Sequence, residues 1–225
     1  MLDHSLYMQR LIDLLMRTFG NRVLYVGLQG SYIRGEATEH SDIDPMVVLD
    51  YLTPEDLQKY KQIISCLQEP TKHCGFVCGS KELKNWNPLE ICHLLHTTVD
   101  YFGKLRPLLP SYKNEDVENH IKLSVGNLYH EICHRYLHTS DDKNATKIAG
   151  SYKSVFFILQ NVYYLKTGIF PQSKKELLAL TSGADRDIFS KVMALDNGTT
   201  YEFVDLFTSL LNWCSDLLCR RIFDV

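Results

Sequence analysis

Two aspartates one residue apart, Asp42 and Asp44, stand at the head of an apolar run from Ile43 to Leu49. In a β-strand, residues i and i+2 share a face. Both carboxylates are therefore expected to project together while Ile43 turns into the core. Two hard oxygen ligands on one face suit Mg²⁺, which takes one or two carboxylates and fills its shell with water and substrate phosphates. Two such ions can clamp an in-line phosphoryl displacement. An isolated Asp-x-Asp is usually no more than a polar turn entering a strand, so the residues before it decide the reading.

Those residues are Gly30, Ser31, Arg34 and Gly35. Arg22 to Leu28 is short, apolar and rich in β-formers, and reads as a buried strand. Gly30 at its end permits a sharp turn and close approach of a ligand. Ser31 offers a hydroxyl and an N–H at the mouth of the next turn, where phosphate oxygens are favoured. Arg34, three residues on, would supply a charge and a forked donor for phosphate.

The combined pattern Gly-Ser-x-x-Arg-Gly-x-Ala-x-x-x-Ser-Asp-Ile-Asp, carried by Gly30, Ser31, Arg34, Gly35, Ala37, Ser41, Asp42 and Asp44, resembles the signature of the DNA polymerase beta-type nucleotidyltransferase superfamily. It is most similar to the small bacterial branch that contains the aminoglycoside and minimal nucleotidyltransferases. The resemblance implies an α/β (α+β) fold, with a small mixed-sheet nucleotidyltransferase domain over residues 1–106 and a helical-bundle domain that selects the acceptor over residues 107–225. It implies Mg²⁺-dependent transfer of a nucleoside monophosphate from an NTP, ATP by preference, to an acceptor hydroxyl, with release of pyrophosphate. The acceptor would be a small molecule or a protein. Asp42 and Asp44 would be catalytic and hold one or two Mg²⁺ ions; Gly30, Ser31, Arg34 and Ser41 would hold the nucleotide.

The chain departs from that family at two places. Pro45 follows the second aspartate where the family usually has an apolar residue, and proline belongs at strand starts, edges or bulges. The strand is therefore expected to begin at or just after Asp44. Many members also carry a third carboxylate on the next strand. Here that strand is expected over His73 to Gly79, which has no acid. Either two carboxylates suffice to hold the metal, or Asp50, Glu82 or Asp100 approaches from elsewhere to replace the third; the alternative is an inactive nucleotide-binding relative.

Composition narrows the class. The 225 residues carry a formal net charge of −3, so no strongly basic surface points to nucleic acid. No apolar run reaches membrane-spanning length, and the seven cysteines, odd in number and scattered, read as reduced thiols in a cytoplasm. Cys74 and Cys78 would lie about 13 Å apart along a strand, too far to share an ion, and are expected as buried structural thiols. The oligomeric state stays open, a homodimer included.

The elements that position the site follow in order. Ser5 to Phe19 has helical spacing and a stop at Gly20. A short helix is expected around Tyr32 to Ala37. Thr53-Pro54-Glu55-Asp56 is a helix start, running to about Leu67. Ser80 to Trp86 and Pro88 to His96 read as helices, and Val99 to Phe102 as a short strand. Pro107 and Pro110 mark a linker over Leu105 to Asn114. Three long helices follow, over Glu115 to His138, Asn144 to Thr167 and a segment opened by Thr199-Thr200-Tyr201-Glu202, which reads as a capping box, as does Ser173-Lys174-Lys175-Glu176, with one or two short ones between.

Within the bundle, His130-Glu131-Ile132-Cys133-His134 matches the zinc-protease helix motif. A third zinc ligand is missing: Leu137 and Ser140 occupy the places of the extended form, and Asn144 to Thr167 has no acid. Zinc proteolysis is thus a minor alternative. His130, His134 and His138 form a stripe one turn apart, read either as a solvated polar face or as a cleft wall. By the resemblance, Glu131 would serve as general base on the acceptor hydroxyl. Lys153 reads as a lysine snorkelling from a core face or, as in related enzymes, reaching the triphosphate.

Overall fold

Helix α1, His4–Phe19, begins at an Asp3 cap whose carboxylate accepts the Leu6 N–H, and its Tyr7, Met8, Leu11, Leu15 and Phe19 are buried. The computed structural model describes residues 2–220. They divide into two compact units, Met1–Tyr112 and Lys113–Val225.

The N-terminal unit is built on four strands: β1 (Val23–Gln29), β2 (Asp44–Leu49), β3 (Phe76–Gly79) and β4 (Val99–Phe102), in spatial order β3-β2-β1-β4, with helices α3 (Ser80–Lys84) and α4 (Pro88–His96) between β3 and β4 in the chain. β1 pairs antiparallel with both β2 and β4, and β2 pairs parallel with β3. Strand alternation divides the side chains between two faces. Val26, Leu28, Ile43, Val47 and Leu49 pack with α1 and with α2 (Pro54–Ser65). Tyr25, Met46 and Val48 pack on the other face with Cys78, Leu83 and Leu105. Asp44, two residues before Met46, belongs to that second face.

At the opposite end of β2, Arg22 ties the strand to α2. Its guanidinium donates to both oxygens of the buried Asp56 (2.9 and 2.8 Å) and to Asp50 (3.0 Å). Asp56 also accepts from the Thr53 N–H and hydroxyl, which completes a capping box at the expected helix start.

Several expectations need correcting. Residues 31–35 form turns, not a helix: the Gly35 N–H reaches Tyr32 O and the Glu36 N–H reaches Ser31 O, and no further helical bonds follow. β3 starts at Phe76 rather than His73. Pro45 has no N–H to give, so the β2–β3 ladder proper begins beyond it, at Met46↔Phe76. Cys78 is buried but Cys74 is exposed.

The C-terminal unit is helical: α5 (Asn114–His138), α6 (Asp141–Thr167), α7 (Lys174–Leu180), α8 (Gly183–Asp196) and α9 (Phe203–Cys219). Val117, Ile121, Val125, Leu128 and Ile132 give α5 a buried stripe at three- and four-residue spacing. It packs on α6 and α9. The Tyr152 hydroxyl donates to Leu206 O, and the Trp213 indole donates to Asp185. α6 begins at Asp141, before the expected Asn144, because Asn144 is drawn inward: its amide donates to Arg135 O and Thr139 O across the helical corner. α8 is longer than the short helix expected there. The Thr199 box does not form; the Thr199 N–H closes α8 onto Ala194 O, and Glu202 precedes α9 without a side-chain cap. Among the described residues no helix is long and apolar enough to cross a membrane.

The Arg22 pair holds the Asp56 carboxyl well below the usual carboxylate range. A depressed folded pKa contributes stability that is present above the unfolded value, about 3.9, and is lost as pH falls through the folded value. Asp56→Asn should lower stability at pH 7 by about 3 kcal/mol. It should also flatten the acid-side loss below about pH 4, both read by urea denaturation across pH.

Candidate active site

The loop from Gly30 to Ser41 is closed by local hydrogen bonds. Ser41 Oγ accepts the Thr38 N–H at 2.8 Å and the Ser41 N–H donates back to Thr38 O. Gly30 has φ +79° and Gly35 φ +69°, conformations that glycine adopts without a Cβ penalty. The loop returns the chain to β2 at Asp44, directly opposite Gln29. A Cβ on Gly30 would overlap the Asp44 carboxylate, with Cγ at 3.1 Å. Any side chain there would displace the acid from this seat.

Asp42 is exposed, Asp44 is half-buried, and Ile43 between them is fully buried on the α1–α2 face. The opposed directions expected from strand alternation are present. Burial first, and then the charge of Asp42, push the Asp44 carboxyl up to about 6, while Arg34 pulls it the other way. Two carboxylates crowded in this way are relieved by a cation. Their oxygens are the hard donors that Mg²⁺ prefers, so Asp42 and Asp44 fit the ion.

Arg34 stands close enough to Asp44 to act on it electrostatically, and its Nε donates to Glu36 at 2.9 Å. Ser31 lies at the loop entrance, half-buried, and its carbonyl accepts the Glu36 N–H. The structure thus brings Gly30, Ser31, Arg34, Ser41, Asp42 and Asp44 into one loop and strand start. Glu131 and Lys153 belong to the other unit. Glu131 accepts from the Ser151 hydroxyl and pairs with Arg135, both at 2.9 Å; Lys153 is exposed on α6.

None of the three substitute acids joins the pair. Asp50 is held by Arg22 at the far end of β2, and Glu82 lies against Gly79, which pairs with Leu49 at that same end. Asp100 stands opposite Gly27 beside the Tyr25 hydroxyl, paired with Lys104 at 3.3 Å. Among the described residues no group of three acids, histidines or cysteines is placed to share an ion. This also leaves the His130–His134 motif without a third zinc ligand.

Two contributors went unread in the sequence. Gln29 faces Asp44 across the strand pair and its amide donates to Thr98 Oγ1 at 2.8 Å. A polar residue ending an apolar strand was the available signal. His73 forms a bridge with Ile43, and a lone histidine in a short apolar stretch gives no such hint.

Residues 9–105 match the nucleotidyltransferase domain family. No curated protein matches the chain. Among solved structures, spectinomycin adenyltransferase from Enterococcus faecialis, determined with ATP and spectinomycin, is similar in fold. The TM-score is 0.59 at 15% identity, over 96% of this chain and 99% of that one. Residues 9–105, the part of the chain that resembles the nucleotidyltransferase domain family, make up nearly all of its N-terminal unit.

Proposed function

We propose that this protein transfers a nucleoside monophosphate from an NTP, ATP first among them, to a hydroxyl of a small-molecule acceptor. The observation that carries the reading is the Asp44 carboxylate seated over Gly30 beside Asp42. In the reaction the acceptor oxygen bonds to the α-phosphorus, the bond from that phosphorus to the bridging oxygen breaks, and pyrophosphate leaves. Asp42 and Asp44 would hold Mg²⁺. The ion, when bound, neutralises charge on the phosphate oxygens. The Gly30–Ser31 turn would receive the triphosphate through its backbone N–H groups, with Ser41 keeping the loop closed and Arg34 adding positive charge.

The C-terminal unit is proposed to take the acceptor. Between α5 and α6 it has a cavity of about 260 Å³ whose lining includes Ser124, Asn127, Glu131, Ser154, Leu128 and Phe157. Polar groups over an apolar floor suit a compact polyhydroxylated molecule. Glu131 is the proposed acceptor of the hydroxyl proton, and Lys153 a candidate for the triphosphate. The structural relative binds ATP and a small molecule, spectinomycin, which supports this class of acceptor over a protein. All seven cysteines are unpaired, in keeping with a reducing, cytoplasmic setting in a bacterium.

A second reading, a nucleotide-binding relative without turnover, draws on the missing third acid. Pyrophosphate release in an acceptor screen separates the two. NTP binding without release from any acceptor favours the second.

Calorimetry should show Mg²⁺-dependent ATP binding that is lost in Asp42→Asn and in Asp44→Asn, with the fold retained by circular dichroism. Gly30→Ala adds a Cβ at a left-handed φ and against Asp44; binding should weaken about tenfold or more. With an acceptor in hand, Glu131→Gln should lower pyrophosphate release about 10²- to 10⁴-fold while leaving ATP binding unchanged.

A further inference from the structure

Ile43 separates the two aspartates, and both of its backbone groups are engaged on the β3 side. Its N–H donates to Lys72 O at 2.8 Å, and its carbonyl accepts the Cys74 N–H at 2.9 Å. These two peptides flank His73. The next residue available for that ladder is Met46, because Pro45 has no N–H. The isolated Ile43–His73 bridge therefore ties the aspartate segment to the chain that leads into β3.

The His73 ring is itself fixed from two helices. Nδ1 lies 2.8 Å from the Tyr7 hydroxyl on α1, and Nε2 lies 3.0 Å from the Tyr60 hydroxyl on α2. Both tyrosines are buried. A neutral imidazole has one N–H to donate and one nitrogen to accept, so either tautomer satisfies both hydroxyls. With both nitrogens engaged, the ring cannot turn without losing a bond. Burial pushes His73 down to about 4, which keeps the ring neutral. A Cβ on Gly75 would stand 2.9 Å from His73 Nε2 and 2.6 Å from Pro45 O, so the strand closes tightly on Pro45 as well.

We propose that His73 is a positioning residue for the aspartate pair. Pinned by Tyr7 and Tyr60, it sets the Ile43 backbone and through it the directions of the Asp42 and Asp44 carboxylates. The inference rests on reading that pair as the metal and triphosphate site. His73 touches neither carboxylate in this account. It acts on the site's geometry, by way of main chain that a side-chain substitution at Ile43 would leave in place.

The test is titration of ATP into the folded protein with and without Mg²⁺, on the wild type, His73→Ala and the double variant Tyr7→Phe/Tyr60→Phe. Amide exchange at Ile43 is followed in parallel. The expected result is a Mg²⁺-dependent gain in ATP affinity that falls about tenfold in His73→Ala. It should fall less in the double variant, with Mg²⁺-free affinity unchanged and Ile43 exchange faster. Loss of Mg²⁺-free and Mg²⁺-dependent affinity in equal measure would mean that His73 supports only the fold. An unchanged Mg²⁺ gain would overturn the positioning role alone. Absence of any Mg²⁺ gain in the wild type would overturn the reading of the aspartates, and the positioning role with it. If His73→Ala does not fold, the double variant, which keeps the ring and its packing, decides.

Discussion

The contact between the Asp44 carboxylate and Gly30 is the constraint on which the N-terminal unit depends. An acid can sit on the sheet there because the residue that follows β1, Gly30, has no side chain. The loop that follows leaves at positive φ and returns to β2 over residues 30–43, closed by its own hydrogen bonds. Helices α1 and α2 occupy one face of the sheet, where Ile43 is buried. The acid is left on the other face, and its burial, with the charge of Asp42 added, is the electrostatic cost of that arrangement.

Much of this was legible in the residues. The strand alternation that separates Ile43 from its flanking acids is a property of covalent geometry, so Asp-Ile-Asp ahead of an apolar run was enough to read it. Proline's missing N–H likewise predicted a strand starting at Asp44. What the sequence hid was non-local. That Pro45 would also shorten β3, thirty residues on, follows only once the two strands are known to be neighbours. The His73 ring meets tyrosines from two helices, a contact that no spacing rule encodes.

Misreadings in the helical unit have a similar cause. Asn144, a residue type that often caps a helix, was the expected start of the second long helix. Its amide instead bonds carbonyls at the end of α5, and the helix begins before it. Thr199 satisfied a capping pattern, yet its N–H was taken by the end of α8. In both places a local rule was overridden by a competing partner from a neighbouring element. The span of α5, which rests on periodicity alone, was read to within one residue of its start.

The order of the strands has a kinetic consequence. β1 and β2 are consecutive and antiparallel, joined only by residues 30–43, and β3 adds beside β2 by residue 79. Loop closure costs little over such spans, and local pairings form early. β4, which must reach back to the far edge of β1, closes the longest loop in the sheet. The carboxylate pair is thus assembled from the fastest-forming part of the sheet. A chain emerging from the ribosome has every strand contact of the pair available before most of the helical unit has been synthesised.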